Sequence, residues 1–198
     1  MIDALRDIQA KLREGAYKNE EHVRLSLVAR VLQELGWNIW DPTEVNAEWR
    51  AARTEDTARV DLALFVKSDL LSVFIETKAV GELDLDLEKV EKQCRDYNRD
   101  HTALFSIITD GQGWRFYYSR TGGQFAEKCF KTIDLIREDL GEAERLLKTF
   151  LSKNEIHNGK AEAEAEKCLK LNQRQRAMED CLPFARQKIN EPPYPVFD

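Results

Sequence analysis

The sequence predicts an α/β protein: a mixed β-sheet flanked by helices on both faces, followed by a C-terminal helical extension. Three observations carry that prediction. Residues 59–66 and 71–78 are apolar runs rich in branched side chains on either side of Ser68-Asp69, the pattern of a hairpin near the middle of a sheet. Stretches before and after it repeat apolar residues every three or four positions, the period of a helix with one buried face. In chain order the segments read helix, strand, strand, strand, helix, strand, strand, which stacks into layers around one sheet.

Taken in order, Ile2, Leu5, Ile8 and Leu12 give a first amphipathic helix that Gly15 interrupts. Asn19 is a good N-cap for a second helix, with Glu20 and Glu21 in its first turn where the helix dipole favours acids. Its stripe is Val23, Leu27, Val31 and Leu35, and Gly36-Trp37 ends it. Glu20 and Arg24, four apart, share a face. Pro42 precedes a strand over 44–49, with Val45, Ala47 and Trp49 expected on one side. Residues 50–57 form a polar connector to the hairpin. From Leu83 the helical period returns through Leu87, Val90, Cys94 and Tyr97. Strands follow at 103–109, at 114–118 after the Asp110-Gly111-Gln112-Gly113 turn, and at 125–130. A closing helix spans 138–152 and a linker 154–159. The Ala-Glu run from Ala161 is helical by propensity but shows no apolar face. Leu171, Met178, Leu182, Ala185 and Ile189 line the later part of a long final helix, so its second half is expected to pack, and Pro192-Pro193 ends it. The expected division is therefore a domain over 1–152 and an extension over 153–198.

The 198 residues suffice for a sizeable core, and 42% hydrophobic with 33% charged residues is ordinary for a globular chain. No apolar run matches a bilayer, so no membrane partner is expected. The start of the chain lacks the layout of a secretion signal, and Cys94, Cys129, Cys168 and Cys181 are scattered like inert thiols. The expected location is cytoplasmic. His22, His101 and His157 lack zinc-type spacing. A net charge of −6 argues against coating nucleic acid by bulk electrostatics, yet leaves room for local contact with phosphate.

The hairpin holds the chemistry. Across an even-length turn, positions summing to 137 face each other, so residue 66 faces 71 and Asp61 faces Glu76. Carboxylates directly opposite have Cβ atoms about 4.5–5.5 Å apart and destabilise the pair. Lys78 lies on the same strand face as Glu76. A chain tolerates the arrangement when a cation sits between the acids, which points to a divalent-metal site.

Glu20, Asp61 and Glu76-Thr77-Lys78, laid in order on helix, strand and strand, resemble the PD-(D/E)XK nuclease superfamily. Asn19-Glu20 with Arg24, Leu35-Gly36-Trp37, Arg59-Val60-Asp61, Ile75-Glu76-Thr77-Lys78, Gln93 to Tyr97, and Thr109-Asp110-Gly111 with Trp114 narrow it. They resemble the nuclease domain at the N-terminus of type I restriction-enzyme R subunits, over about residues 15–120. Val60 stands where the superfamily name has proline, and no Walker A loop of a motor is present. The resemblance implies a restriction-endonuclease-like fold and a hydrolase cleaving DNA phosphodiester bonds in restriction, defence or repair. It implies magnesium, replaceable by manganese, on Asp61, Glu76 and the Thr77 carbonyl, with Lys78 and Glu20 completing the catalytic set. Gln93, Tyr97, Arg24 and Arg59 would meet the nucleic acid, an ion pair with Glu20 being the competing role for Arg24. A homodimer, or a motor or restriction partner, would dock through the C-terminal helix. The alternative is a catalytically silent module of the same fold that binds nucleic acid or assembles a complex.

Overall fold

The structure is a computed structural model that describes residues 1–50, 59–67, 70–85 and 87–190, without the side chains of 100, 179, 180 and 182–190. The expected turn at Ser68-Asp69, the connector from residue 51 and Pro192-Pro193 lie outside the described residues, as do the side chains of Leu182, Ala185 and Ile189.

Six strands form one sheet in the order β1 (Val45–Trp49), β2 (Val60–Lys67), β3 (Leu70–Thr77), β4 (Phe105–Thr109), β5 (Gly113–Tyr118) and β6 (Cys129–Asp134). All neighbours are antiparallel except β3 and β4. That parallel pair needs a crossover, supplied by α4 (Leu87–Asp100). The helix packs Val90 and Cys94 against Ile108, Tyr117 and Phe125 on one sheet face. The opposite face carries the larger core, shared with α1 (Ile2–Arg13), α3 (Ala29–Glu34), α5 (Leu140–Leu151), α6 (Lys153–His157) and α7 (Lys160–Asn190). The chain is thus an α/β protein with helices on both faces of a mixed sheet.

The second helix starts as expected. The Asn19 side chain accepts from the His22 N–H at 2.9 Å, capping α2 (Glu20–His22). It continues through a π turn (Val23–Val28) into α3. Gly36, at φ +89°, adopts the left-handed conformation that ends a helix, with Gly36 N–H on the Gln33 carbonyl and Trp37 N–H on that of Leu32, both at 3.1 Å. Trp37 then buries its ring and donates Nε1–H to the Leu151 carbonyl at 2.8 Å, so the polar handle of a core indole is satisfied.

Several expectations need correction. Helix α4 starts at Leu87 rather than Leu83. Leu83 sits in the turns after Gly81 and packs against the α4-side cluster. Residues 126–128 form a 3₁₀ turn and β6 starts only at Cys129, because Phe125 is drawn into a stack on Tyr117, ring centroids 4.8 Å apart. The supposed linker contains α6, anchored by buried Ile156. Ala161 and Ala165, followed by Leu169, pack into the large core, so the first part of α7 is the packed part; Leu171 and Met178 are exposed. Small side chains let a helix approach closely where hydropathy alone shows no stripe. Cys94 is buried as expected, while Cys181 is exposed.

The strand faces bring a further correction. Val45 belongs to the large core, but Trp49 packs against Phe65, Phe74 and His101 on the α4 side. On β2, Leu62 and Leu64 face the large core while Val60 faces the α4 side. Simple alternation forbids both switches. Between the paired positions 47/62 and 49/60 lies Glu48, at φ +54° the one positive non-glycine φ among the described residues. Its left-handed backbone interrupts the pleat, and beyond it both strands present the opposite face.

Candidate active site

Asp61, Glu76 and Lys78 converge at the end of β2 and β3 where the face switch occurs. The pairs Leu62↔Ile75, Ala63↔Phe74 and Leu64↔Val73 carry the expected register as far as the neighbours of Asp61 and Glu76. Nearer the turn the expectation fails, since Phe65 rather than Val66 faces Leu71. One irregularity on each strand offsets the other, so the register at the site survives.

Asp61 reaches past Glu76. Its Oδ2 accepts from the Thr77 N–H and from Thr77 Oγ1, both at 2.7 Å, and its Oδ1 lies 3.5 Å from Arg24 Nη1. Glu76 is only 5% exposed. Its Oε1 accepts from Lys78 Nζ at 3.1 Å, and its Oε2 is buried with no partner. Burial and then the neighbouring Asp61 charge push the Glu76 carboxyl up to about 7, against the opposing pull of Lys78. Lys78 is itself disfavoured as a cation by burial, but Glu76, Glu20 and Asp61 outweigh this and hold its ammonium above the ordinary lysine value. Glu20 Oε2, from α2, stands 3.9 Å from Lys78 Nζ. Burial raises the Glu20 carboxyl, with Lys78 pulling the other way. Three carboxylates thus share one lysine and one arginine.

Arg24 does not pair with Glu20. It bonds Glu21 at 2.7 and 2.8 Å, pairs with Glu48 and faces Asp61, leaving its side chain 12% exposed. The shared helix face expected from spacing exists, but it is the face turned into the site. Glu48 also stands 3.6 Å from Arg59, whose half-exposed side chain forms the rim. Glu48 is therefore a site residue that sequence reasoning missed, and no local signal marks it: in a strand pattern it reads as one more outward acid.

Helix α4 closes the other side. Gln93 Nε2 donates to the Tyr97 hydroxyl, and that hydroxyl donates to the Arg59 carbonyl at 2.6 Å, fixing the entry to β2. The ring of Tyr97 meets Phe74 edge-on, centroids 6.2 Å apart, so the side chain is core below and polar above. Burial, followed by the Glu76 charge among the carboxylates, keeps its hydroxyl and the Cys94 thiol neutral. Behind the site, buried Asp110 accepts from the N–H groups of Gly81 at 2.8 Å and Gly113 at 2.7 Å, tying the segment after Lys78 to the β4–β5 turn. Gly111, at φ +84°, lets that turn press on the π turn, where an added Cβ would meet Leu27 at 2.7 Å.

Among the described residues no group of three or more His, Cys, Asp or Glu side chains forms a metal cage. Two carboxylates suit magnesium, which keeps several waters and takes one or two protein acids. The partnerless Oε2 of Glu76, buried beside a second acid, is what such an ion would satisfy. No protein-family profile, curated protein or solved structure matches the chain. No helix among the described residues is long and apolar enough to cross a membrane.

Proposed function

We propose that the chain is a magnesium-dependent endonuclease of the PD-(D/E)XK type, with a restriction-endonuclease-like fold, that hydrolyses DNA phosphodiester bonds in restriction, defence or repair. One observation carries the reading: Glu76, buried beside Asp61 with Oε2 unpartnered, shares its pocket with Lys78. A structural role would have left an apolar residue there, since a half-paired buried carboxylate costs stability. The order helix, three strands, helix, strand, with Glu20 on the helical stretch before β1, is in keeping with it.

Asp61 and Glu76 would hold the ion, with the Thr77 carbonyl beside them, and manganese is expected to substitute. When bound, the ion supplies a Lewis acid for the phosphate and lowers the pKa of its water. Lys78, kept charged by three acids, offsets negative charge that grows on the phosphate as the nucleophile attacks. Glu20 holds that ammonium from the helix side. Gln93 and Tyr97 fix the backbone at Arg59, half-exposed Arg59 presents its cation to the DNA backbone, and Arg24 would join it on release from Glu21, Glu48 and Asp61. A partner copy or a motor in trans would use the exposed stretch of α7 that carries Leu171 and Met178.

The Arg24 contact favours the silent alternative in one respect, because a guanidinium already faces Asp61. Supercoiled and single-stranded DNA incubated with the protein and magnesium or manganese decide between them. Nicking that requires metal and disappears in Asp61→Ala and Lys78→Ala is expected. Nicking that survives both substitutions, or its absence while metal-independent DNA binding persists, sinks the enzyme reading.

A further inference from the structure

A second polar cleft lies across α4 from the candidate active site. Arg95 and Arg99 line it, two and six residues beyond Gln93 and hence about half a turn around the helix. Its volume is about 470 Å³, and Asp96, Asn98, Thr102, Ser119, Phe125 and Lys128 complete the wall. Asp96 is engaged by Arg95, whose Nη2 approaches it at 3.2 Å. Lys128, from the 3₁₀ turn, forms no ion pair or side-chain hydrogen bond among the described residues, and burial alone lowers its pKa. A half-buried ammonium without a carboxylate is unusual in a chain of net charge −6.

The floor of the cleft is a directed chain of hydrogen bonds. Asn98 Nδ2 donates to Ser106 Oγ at 2.6 Å, and Ser106 Oγ lies 3.1 Å from Ser119 Oγ. Ser106 is wholly buried and these are its two side-chain partners, so its own proton is satisfied only by donation to Ser119. The Ser119 hydroxyl proton is then left over, on a residue that lines the cleft. Asn98 is locked in turn, its Oδ1 accepting from the Ala103 N–H at 3.2 Å and its Nδ2 also reaching the Cys94 carbonyl at 2.9 Å.

We infer that the cleft is a phosphate-binding site, in which Ser119 donates a hydrogen bond and Lys128 supplies charge to a phosphate of a nucleotide or a nucleic-acid backbone, with Arg95 and Arg99 at the rim. The terminal hydroxyl needs an acceptor and the ammonium needs an anion; a phosphate oxygen answers both. The site is separate from the acids of the candidate active centre and stands whether or not that centre cleaves DNA.

The test uses the full chain in the presence of a chelator. Inorganic phosphate and AMP are titrated calorimetrically, and a labelled single-stranded oligonucleotide by anisotropy. Lys128→Ala is expected to weaken phosphate and AMP by about tenfold, the value of one charge-assisted contact, and Lys128→Arg to restore them. If a nucleic-acid backbone is the source, Lys128→Ala also weakens the oligonucleotide and lowers its salt slope by about 0.7. If a free nucleotide is the source, only the small ligands respond. Ser119→Ala should act in the same direction; should it unfold the buried chain, Lys128→Ala, outside that chain of hydrogen bonds, still decides. Lys11→Ala, on α1 across the sheet from the cleft, should leave all three affinities unchanged, which shows that the loss in Lys128→Ala is local to the cleft. Ligands that bind Lys128→Ala as tightly as wild type, or no binding of any of the three, overturn the proposal.

Discussion

Glu76→Gln removes the charge that the site holds most reluctantly, and its effect on stability can be worked from the structure. The carboxyl moves from 4.5 to about 7 on folding, chiefly through burial. Between those values the native state keeps a proton that the unfolded chain has released, so stability falls as pH rises across that window and stays low above it. The separation converts to about 3 kcal/mol. Glutamine does not titrate and keeps an oxygen for Lys78. The pull of Lys78 across the 3.1 Å contact is already contained in that separation. The net gain is therefore about 3 kcal/mol at pH 8, roughly 6–12 °C in Tm for a chain of this size, and near zero at pH 4. Denaturant and thermal unfolding at both pH values, with a chelator present, measure it. Manganese supplies the second arm: at a hundredfold excess over its Kd it should stabilise wild type at pH 8 by about 2.7 kcal/mol and the variant much less. A variant with the same pH slope as wild type would refute the claim that Glu76 is the strained carboxylate.

Glu48 offers a sharper backbone test. Glycine there should be about 1 kcal/mol more stable than alanine in chemical denaturation, because φ +54° penalises any Cβ; at an ordinary strand position the order reverses. Tyr97→Phe should cost about 1 kcal/mol in the denaturant midpoint by losing the bond to the Arg59 carbonyl while its ring stays on Phe74. An unchanged midpoint would mean that the hydroxyl does not hold the entry to β2. Ending the chain after Ser152 removes Ile156, Ala161, Ala165 and Leu169 from the core, so cooperative unfolding should be lost or the midpoint fall steeply by circular dichroism. A truncated chain that melts like the full one would show that α6 and α7 only decorate the sheet.

The hairpin was legible because its signal is local: branched apolar arms, and a turn whose parity fixes which residues face. Its register reached Leu62 and Ile75, beside Asp61 and Glu76, intact only because two irregularities offset each other, which no pattern in residues 64–72 announces. The Asn19 cap and the Gly36 stop were legible for the same reason, each being the work of one residue's conformational preference. What escaped is tertiary. Alternation put Trp49 beside Val45, and the left-handed Glu48 separates them. Ala161 and Ala165 carry too little apolar surface to register as a stripe, yet their smallness is what lets α7 lie close. Glu20 and Arg24 were correctly set on one face, but which acid each basic group meets depends on strands far away in sequence.

The π turn at Val23–Val28 has a consequence for how this chain can change. A wide turn accommodates one more residue than an α-helix would over the same rise, and such turns are frequent at functional sites. Deleting a single exposed residue such as Ser26 would let the segment relax to ordinary pitch while Val31, Leu32 and the Gly36 stop keep their seats. Everything upstream would then keep its orientation, and Glu20 would stay beside Lys78, whereas the same deletion from an α-helical stretch such as Ala29–Glu34 would rotate it by about 100°. The wide turn is thus a slack link that can give up one residue while the helix on either side stays in phase with the site.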